Sequence, residues 1–310
     1  MVAYLFIRVF FAALRLIPAA WAAALGRGLA GAWGRLDRRH LEIALINLDI
    51  AFPDLPEAAK RRIALDSYRN IGECYGLMSQ FPKFLRMKPD RLRRWIRYEG
   101  LDTYYEAKRQ GKPVLVLTGH LGLWEFMAFG HALLDRTLNF IVRPVRNRRI
   151  DRFLNGYRTL SGNTAIPKRE ALKTVLRVFA AKGDVGILAD QDAHARDGVF
   201  VDFFGKAACT IKGPALMAAR GNAAVFPVFM VEDPTRRARY CIHILPEVDL
   251  QRSGDLEADT LENTRRMMAA FEGAVRRWPG RWLWFHRRWK TRPLGDPETV
   301  YARRAPRQSP

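Results

Sequence analysis

The distribution of apolar and polar residues divides the chain into a helical front half and an alternating back half. The stretches at 38–52 and 55–78 carry apolar residues at spacings of three and four, which predicts two amphipathic helices. Pro56 lies near the first turn of the second helix, a position that suits its fixed φ. From Val114 onward, short apolar runs alternate with stretches of helical spacing, so strands and helices should alternate there.

The apolar runs of the back half lack the apolar–polar alternation of a half-exposed strand. Residues 114–118 read VLVLT, and the later runs are LNFIV, VGILA and AAVFPVF. Such strands are typical of sheets with both faces covered, so the sequence predicts an α/β fold with helices flanking a mixed or largely parallel sheet. The helical stretches between the runs lie at 147–160, 170–182 and 212–220.

The first 35 residues form an apolar, aromatic segment without an acidic residue. Three arginines divide it, and Pro18 interrupts any helix. Its longest uncharged stretch, 16–26, is shorter than the roughly 20 residues that a membrane-spanning helix needs. We therefore predict that this segment lies in a membrane interface and anchors the protein there.

The arginines of the segment support an interfacial orientation. Arg8 and Arg15 are seven residues apart, which places them on one face of a helix. An ordinary core helix with two exposed arginines is the alternative. The side chains available to enter the acyl region are Leu5, Phe6, Phe10 and Leu14.

Beyond this segment the chain shows no internal repeat, low-complexity tract or obvious linker before the polar stretch that follows Pro293. We expect a membrane-anchoring segment at 1–35, one globular domain at 36–293 and a polar tail at 294–310. The three cysteines are far apart and odd in number. This favours reduced thiols, and hence the cytosol or the cytoplasmic side of a membrane.

The net charge predicts an anionic partner. Lysine and arginine number 52 against 31 aspartate and glutamate, which gives a formal charge of +21. Nucleic acid, an acidic protein and an anionic membrane surface all remain open on charge alone, and so does a basic solvated surface without a partner.

Charged side chains follow three of the apolar runs. His120 comes shortly after 114–118, and Arg143 and Asp190 come directly after two of the later runs. Parallel sheets bind ligands beyond the carboxyl ends of their strands. An imidazole, a guanidinium and a carboxylate should therefore lie along one rim of the sheet.

His120 and Glu125 stand five residues apart around a turn that contains Gly119 and Gly122. A carboxylate on one imidazole nitrogen would fix the tautomer and raise the basicity of the other nitrogen, as a general base requires. Five residues along a regular helix would place the two side chains about 140° apart, so they meet only if the turn folds back. A catalytic pair and a helix-start glutamate beside an unrelated histidine are both open from these residues.

The stretch GHLGLWEF at 119–126 resembles the His-x4-acid motif of the lysophospholipid and glycerolipid acyltransferase superfamily. Further blocks, which together cover most of the chain, resemble the bacterial lipid A biosynthesis acyltransferase family, the late enzymes that add a secondary acyl chain. Those blocks are INLDIAFPDLPEAAKRR, VRPVRNRRIDRFLNGYRTLSGNT, LADQDAHARDGVFVDFFGKAACTIKGPALMAARGNAAVFPVF and WLWFHRRWK.

The resemblance implies a membrane enzyme at the cytoplasmic face of the cell inner membrane. It would move a fatty acyl group from acyl carrier protein to a hydroxyl of a lipid A precursor or related membrane glycolipid, without a cofactor, metal or acyl-enzyme intermediate. An anionic membrane surface is then a partner, and nucleic acid is not.

The resemblance also implies roles for individual residues. It makes His120 the general base and Glu125 its orienting partner. Arg158 matches an arginine important for activity, Asp190 matches an acidic position, and Arg143 lies beside the same rim. Arg158 and Arg143 suit substrate phosphates. For Arg158, an ion pair with Asp151 or Asp190, or a solvated charge on a helix face, is the alternative.

Other functions stay open at this point. A lysophospholipid or phosphatidylinositol-mannoside acyltransferase would retain the same pair, whereas a non-enzymatic basic protein would bind nucleic acid or a membrane without needing it. The tryptophans interleaved with arginine at 281–290 suit stacking on bases or a membrane interface. The acidic loop at 190–194 holds a histidine, but no second cluster supplies further ligands, so we predict no metal.

Overall fold

A computed structural model describes residues 1–296 and 300–301. The helices in these ranges are α1 (Val2–Leu16), α2 (Ala19–Leu36), α3 (Arg38–Ala51), α4 (Glu57–Met78), α5 (Phe81–Phe84), α6 (Pro89–Arg93), α7 (Leu101–Arg109), α8 (Trp124–Leu134), α9 (Arg148–Arg158), α10 (Ala171–Ala180), α11 (Gly213–Gly221) and α12 (Leu256–Arg277). The strands are β1 (Ile96–Glu99), β2 (Val114–Thr118), β3 (Asn139–Val142), β4 (Thr164–Pro167), β5 (Asp184–Leu188), β6 (Gly198–Phe203), β7 (Lys206–Ile211), β8 (Ala224–Glu232) and β9 (Tyr240–Ile244).

Seven strands form one sheet in the order β1-β9-β8-β2-β5-β3-β4. Neighbouring strands run parallel except where β8 meets β9. The strands β6 and β7 form a separate antiparallel hairpin. The predicted α/β fold, with a largely parallel sheet and a helical N-terminal portion, is confirmed.

The central strand β2 shows why its sequence does not alternate. All five of its residues are buried. Val114 and Val116 belong to the core that contains α7 and α8, whereas Leu115 and Leu117 belong to the core under α10, α11 and α12. Both faces of the strand therefore need apolar side chains.

The four apolar runs predicted as strands are β2, β3, β5 and β8, and the three helical stretches between them are α9, α10 and α11. The two helices predicted in the front half are α3 and α4, and Pro56 is the N-cap residue of α4. The prediction did not include β1, β4, β9 or the β6–β7 hairpin.

The N-terminal segment folds as α1 and α2, with Pro18 at the junction. Phe11 and Leu14 of α1 are buried, and the ring of Phe11 packs against Tyr157 of α9 with centroids 5.3 Å apart. The assignment of Leu14 to an acyl region is therefore wrong, because only 2 % of it is exposed. Phe6 of the same helix, in contrast, is 70 % exposed.

The helix α2 packs closely on α4 through small residues. A Cβ atom on Gly26 would overlap the carbonyl oxygen of Gly72, and the reverse is also true. The outward face of α2 stays apolar, with exposed side chains at helical spacing. Those side chains are Trp21, Leu25, Leu29, Trp33 and Leu36. No helix within the described ranges is long and apolar enough to span a membrane.

Part of the predicted polar tail packs against the domain. The backbone N–H of Trp289 donates to the hydroxyl of Tyr301 at 3.0 Å, and that hydroxyl donates to Asn47 Oδ1 at 2.7 Å. Val300 also packs against the core between α3 and α12. Residues 297–299 and 302–310 of the predicted tail lie outside the described residues.

Candidate active site

The turn between β2 and α8 carries His120. Backbone groups from the C-terminal part of the chain hold this turn in place. The backbone N–H of Gly122 donates to Arg281 O at 2.9 Å, and the backbone N–H of Leu283 donates to His120 O at 3.0 Å. Gly122 has a φ of +67°, and a side chain there would overlap Met230 O. Glycine is therefore required at this position of the turn.

Gly119 lets the loop after β5 approach the same turn. A Cβ atom on Gly119 would lie 2.7 Å from the carboxyl carbon of Asp190 and 2.5 Å from the ring of Phe271. Because β2 and β5 are adjacent and parallel, the residues that follow them meet at one edge of the sheet. The missing side chain makes room for the Asp190 carboxylate beside His120.

The carboxylate that holds the imidazole is that of Asp190. His120 Nδ1 is 3.0 Å from Asp190 Oδ1, and the backbone N–H of His120 donates to Oδ2 at 2.9 Å. The indole N–H of Trp282 also donates to Oδ2 at 2.9 Å. The His120 side chain is 24 % exposed, and its Nε2 has no hydrogen-bond partner in the described part of the chain. Nε2 is thus the ring nitrogen available to a substrate.

The electrostatics favour an ionised Asp190 beside an imidazole of increased basicity. Burial alone would raise the pKa of Asp190, but the His120 imidazole and the donors to the carboxylate lower it to about 2. Burial alone would lower the pKa of His120, but the Asp190 carboxylate outweighs it and leaves the pKa above its usual value. The ring is therefore a stronger base than a free histidine.

Glu125 is bound to Arg158 instead of His120. Arg158 Nε lies 3.0 Å from both carboxylate oxygens, and Nη2 lies 2.5 Å from Oε1. Glu125 sits in the first turn of α8 and Arg158 in the last turn of α9, so the pair ties the two helices together. The predicted His120–Glu125 hydrogen bond is therefore replaced by a His120–Asp190 bond, because Glu125 points toward α9.

Glu125 and Arg158 nevertheless belong to the surroundings of the imidazole. Burial lowers the pKa of His120 and Asp190 raises it. The Glu125 carboxylate raises this pKa by a smaller amount, and the Arg158 guanidinium lowers it. The Arg158 side chain is 20 % exposed. Its ion pair is with Glu125, not with either of the aspartates considered from sequence.

The structure thus brings together four of the five predicted site residues. Arg143 stands apart from them in its contacts: it follows β3 at the carboxyl edge of the sheet, is exposed, and has no side-chain partner within the described ranges.

The aromatic stretch at 281–290 has a different role from either one expected. Trp282, Trp284 and Trp289 are buried, with at most 1 % exposed, so they cannot stack on bases or sit in a membrane interface. They belong to the core beneath α3 and α12. The sequence pattern missed Trp282 as a partner of the site, because composition alone does not separate a buried tryptophan from an interfacial one.

The acidic loop after β5 is a hydrogen-bonding centre. Asp192 accepts hydrogen bonds from the backbone N–H and the hydroxyl of Thr291 at 3.1 and 2.8 Å. Elsewhere, at the β1 edge of the sheet, Glu99, Cys241 and His243 have ligand atoms within 4.8 Å of one another. Glu99 there also faces the guanidinium groups of two arginines, an arrangement typical of an ion-pair network.

A partly exposed imidazole, held on one nitrogen by a buried carboxylate and free on the other, is the arrangement of a general-base site. It stands at the edge of an α/β sheet where ligands bind. Comparison with known families identifies the chain: it belongs to the bacterial lipid A biosynthesis acyltransferase family, whose model matches residues 1–291. The protein is therefore an acyltransferase, and the family predicted from the sequence motifs is confirmed.

Curated relatives cover most of the chain at low identity. The lipid A biosynthesis lauroyltransferase of Escherichia coli (strain K12) is 26 % identical over 276 residues, which is 88 % of this chain and 86 % of the relative. The palmitoleoyltransferase of the same organism is 26 % identical over 84 % of this chain and 81 % of its own length. The myristoyltransferase of that organism is 26 % identical over 88 % of this chain and 81 % of its own length.

Proposed function

We propose that the protein transfers a fatty acyl group from acyl carrier protein to a hydroxyl of a lipid A precursor at the cytoplasmic face of the inner membrane, with His120 as the general base. The observation that carries this proposal is the free Nε2 of a ring whose Nδ1 is held by the buried Asp190 carboxylate. Family membership supplies the reaction class, and the names of the relatives supply the acceptor class.

The proposed reaction needs one proton carrier. His120 Nε2 takes the proton of the acceptor hydroxyl while the oxygen attacks the thioester carbonyl carbon. The tetrahedral oxyanion then collapses, the carbon–sulfur bond breaks, and the imidazolium returns the proton to the leaving thiolate. Asp190 keeps Nδ1 protonated, and its negative charge stabilises the imidazolium formed between these steps.

Transfer to the proposed acceptor is tested directly by the lipids that the protein changes. Mass spectrometry of total lipids from cells with and without the protein should show a lipid A species that gains one acyl chain. The mass difference identifies the chain, and fragmentation identifies the acceptor hydroxyl. A changed phospholipid with unchanged lipid A would contradict the proposed acceptor.

The outward faces of α1 and α2 support attachment to a membrane. Both carry large exposed apolar side chains, among them Phe6, Trp21 and Trp33. The face has no acidic residue, because the segment 1–35 contains none. Apolar side chains beside exposed arginines are typical of helices that lie in an anionic membrane interface.

Replacing tryptophans on this face should weaken membrane binding without unfolding the domain. Burial of one such side chain contributes about 1.5–3 kcal/mol, so Trp21→Asp with Trp33→Asp should reduce binding to anionic vesicles at least about tenfold. Flotation with such vesicles measures the effect, and Leu256→Asp with Leu261→Asp, at two exposed positions of α12, is the matched control. Equal flotation of the double variant and the wild type would contradict attachment through this face. Substituting these tryptophans is preferable to deleting residues 1–35, because α2 in that segment is packed against α4.

The donor proposal predicts a difference in salt dependence. A net charge of +21 should speed the encounter with a strongly acidic carrier protein, and this steering weakens as ionic strength rises. We expect acyl carrier protein to be preferred over acyl coenzyme A, and its kcat/KM to fall more steeply between low and physiological salt. Steady-state kinetics with both donors and one acceptor measure this. Equal rates and equal slopes would mean that the basic surface does not serve the carrier.

A further inference from the structure

An unusually basic surface lies between β3 and α9. Five arginines fall within residues 143–152, where Asp151 is the only acidic residue. The Asp151 carboxylate is already used, since it accepts hydrogen bonds from the backbone N–H of Val145 at 2.8 Å and from the side chain of Asn155 at 3.2 Å. A single carboxylate cannot balance five guanidinium groups, so most of the positive charge is uncompensated.

Four of these arginines are exposed and have no hydrogen bond or ion pair in the described part of the chain. We call them the rim arginines; they are Arg143, Arg146, Arg148 and Arg152. The fifth, Arg149, contacts the sulfur of Met1. Neighbouring guanidinium groups repel one another, and an anionic ligand would relieve that repulsion.

The rim arginines lie at the same edge of the sheet as the turn that carries His120, which we call the catalytic turn. They follow β3, which lies beside β5, so they share the sheet edge from which His120 and Asp190 project. Helix α9, which Arg148 opens, ends at Arg158, the partner of Glu125. The same short helix therefore reaches from the rim arginines to the surroundings of the imidazole.

The rim arginines are also close to the apolar N-terminal helix. Tyr4 and Phe11 of α1 both pack against Phe153 of α9, with ring centroids 6.4 and 5.3 Å apart. The outward side of α1 exposes Val2, Leu5, Phe6 and Val9. The positive surface thus lies between an apolar face and the catalytic turn.

We propose that the rim arginines bind a phosphate group on the headgroup of the lipid acceptor. This inference rests on the proposed function, in which the acyl chains of the acceptor stay in the membrane while its hydroxyl reaches His120. A headgroup placed in this way would pass over the rim arginines. The planar guanidinium fork matches the oxygens of a phosphate in geometry and in charge. An acidic protein would need no apolar face beside its docking surface, which is why the lipid is favoured.

The test separates acceptor binding from donor binding. The variants are Arg143→Gln with Arg146→Gln, Arg148→Gln with Arg152→Gln, and the combination of all four. The matched control is Arg220→Gln with Arg252→Gln, which removes the same charge from two exposed arginines, one before β8 and one after β9. The acceptor is supplied in its phosphorylated form and after treatment with a phosphatase.

Each double variant should raise KM for the phosphorylated acceptor roughly fivefold to thirtyfold, as expected for one or two lost charge contacts. The value of kcat, KM for the acyl donor and KM for the phosphatase-treated acceptor should change little, and so should all constants of the control. An increase confined to the donor KM would instead assign the surface to the carrier protein and overturn the proposal. An equal increase with both forms of the acceptor would also overturn it.

Two binding measurements keep the result independent of turnover. The first compares how the wild type and the fourfold variant bind to lipid A micelles, with phosphates intact and after phosphatase treatment. The variant should bind more weakly to the phosphorylated micelles, and the two proteins should bind equally to the treated ones. Flotation with phosphatidylglycerol vesicles should be nearly the same for both proteins, and loss of flotation would mean that the arginines serve the bulk membrane. An inactive wild type that shows this phosphate-dependent binding would refute the proposed reaction but not the phosphate site.

Discussion

His120→Ala should abolish acyl transfer while leaving the protein folded. The substitution removes the one imidazole held by Asp190, and no other histidine shares the turn. Loss of a general base typically costs about 10²- to 10⁴-fold in rate, which corresponds to roughly 3–5 kcal/mol of barrier. Initial rates at saturating donor and acceptor measure the effect.

A histidine outside the site provides the control for this substitution. His194 lies in the loop after β5 and is exposed. His194→Ala should therefore keep wild-type kcat, and circular dichroism and thermal unfolding should show that both variants are folded. Wild-type turnover by folded His120→Ala would end the proposed mechanism.

Asp190→Asn should produce the second large loss. The amide nearly preserves the shape of the carboxylate but removes its charge, so it neither fixes the protonated Nδ1 as firmly nor stabilises the imidazolium. We expect kcat to fall by about 10²- to 10⁴-fold. Because Glu125 makes no hydrogen bond to the ring, Glu125→Gln should lower kcat less than Asp190→Asn does. The reverse order would assign the orienting role to Glu125.

The residual activity of Asp190→Asn should also have a shifted pH dependence. The base acts when His120 is neutral, so activity falls as the pH drops through the pKa of His120. Burial lowers that pKa and Asp190 raises it, with a net increase in the folded protein. Removing the carboxylate should therefore move the acid limb of the kcat/KM profile to lower pH. An unchanged acid limb would show that another group governs it.

The fold was predictable where a physical rule connects sequence to structure directly. Apolar runs without alternation indicated strands buried on both faces, and β2, β5 and β8 are such strands. The short strands β1 and β4 escaped because four residues of mixed polarity carry little periodicity. Their place in the sheet depends on pairing with strands that are distant in sequence.

The candidate site, like the fold, could be predicted from the sequence only in part. The rule for parallel sheets placed His120 and Asp190 on one rim, and they do meet there. Which carboxylate holds the imidazole could not be predicted, because it depends on the direction of the Glu125 side chain and on the space beside Gly119. The burial of Leu14 and Trp282 was hidden for a related reason, since a membrane and a protein core select the same apolar side chains.

The bond between Trp282 and Asp190 has a consequence for the order in which the protein matures. Because α1 and α2 precede the other elements in the chain, the face proposed to meet the membrane leaves the ribosome before they do. The donor to Asp190 and the backbone that fixes the turn carrying His120 both come from residues 281–283, which are synthesised after α12. If this face attaches as proposed, a growing chain can reach the bilayer long before the turn that carries His120 is fixed. The enzyme would be delivered to its lipid before it is able to act on it.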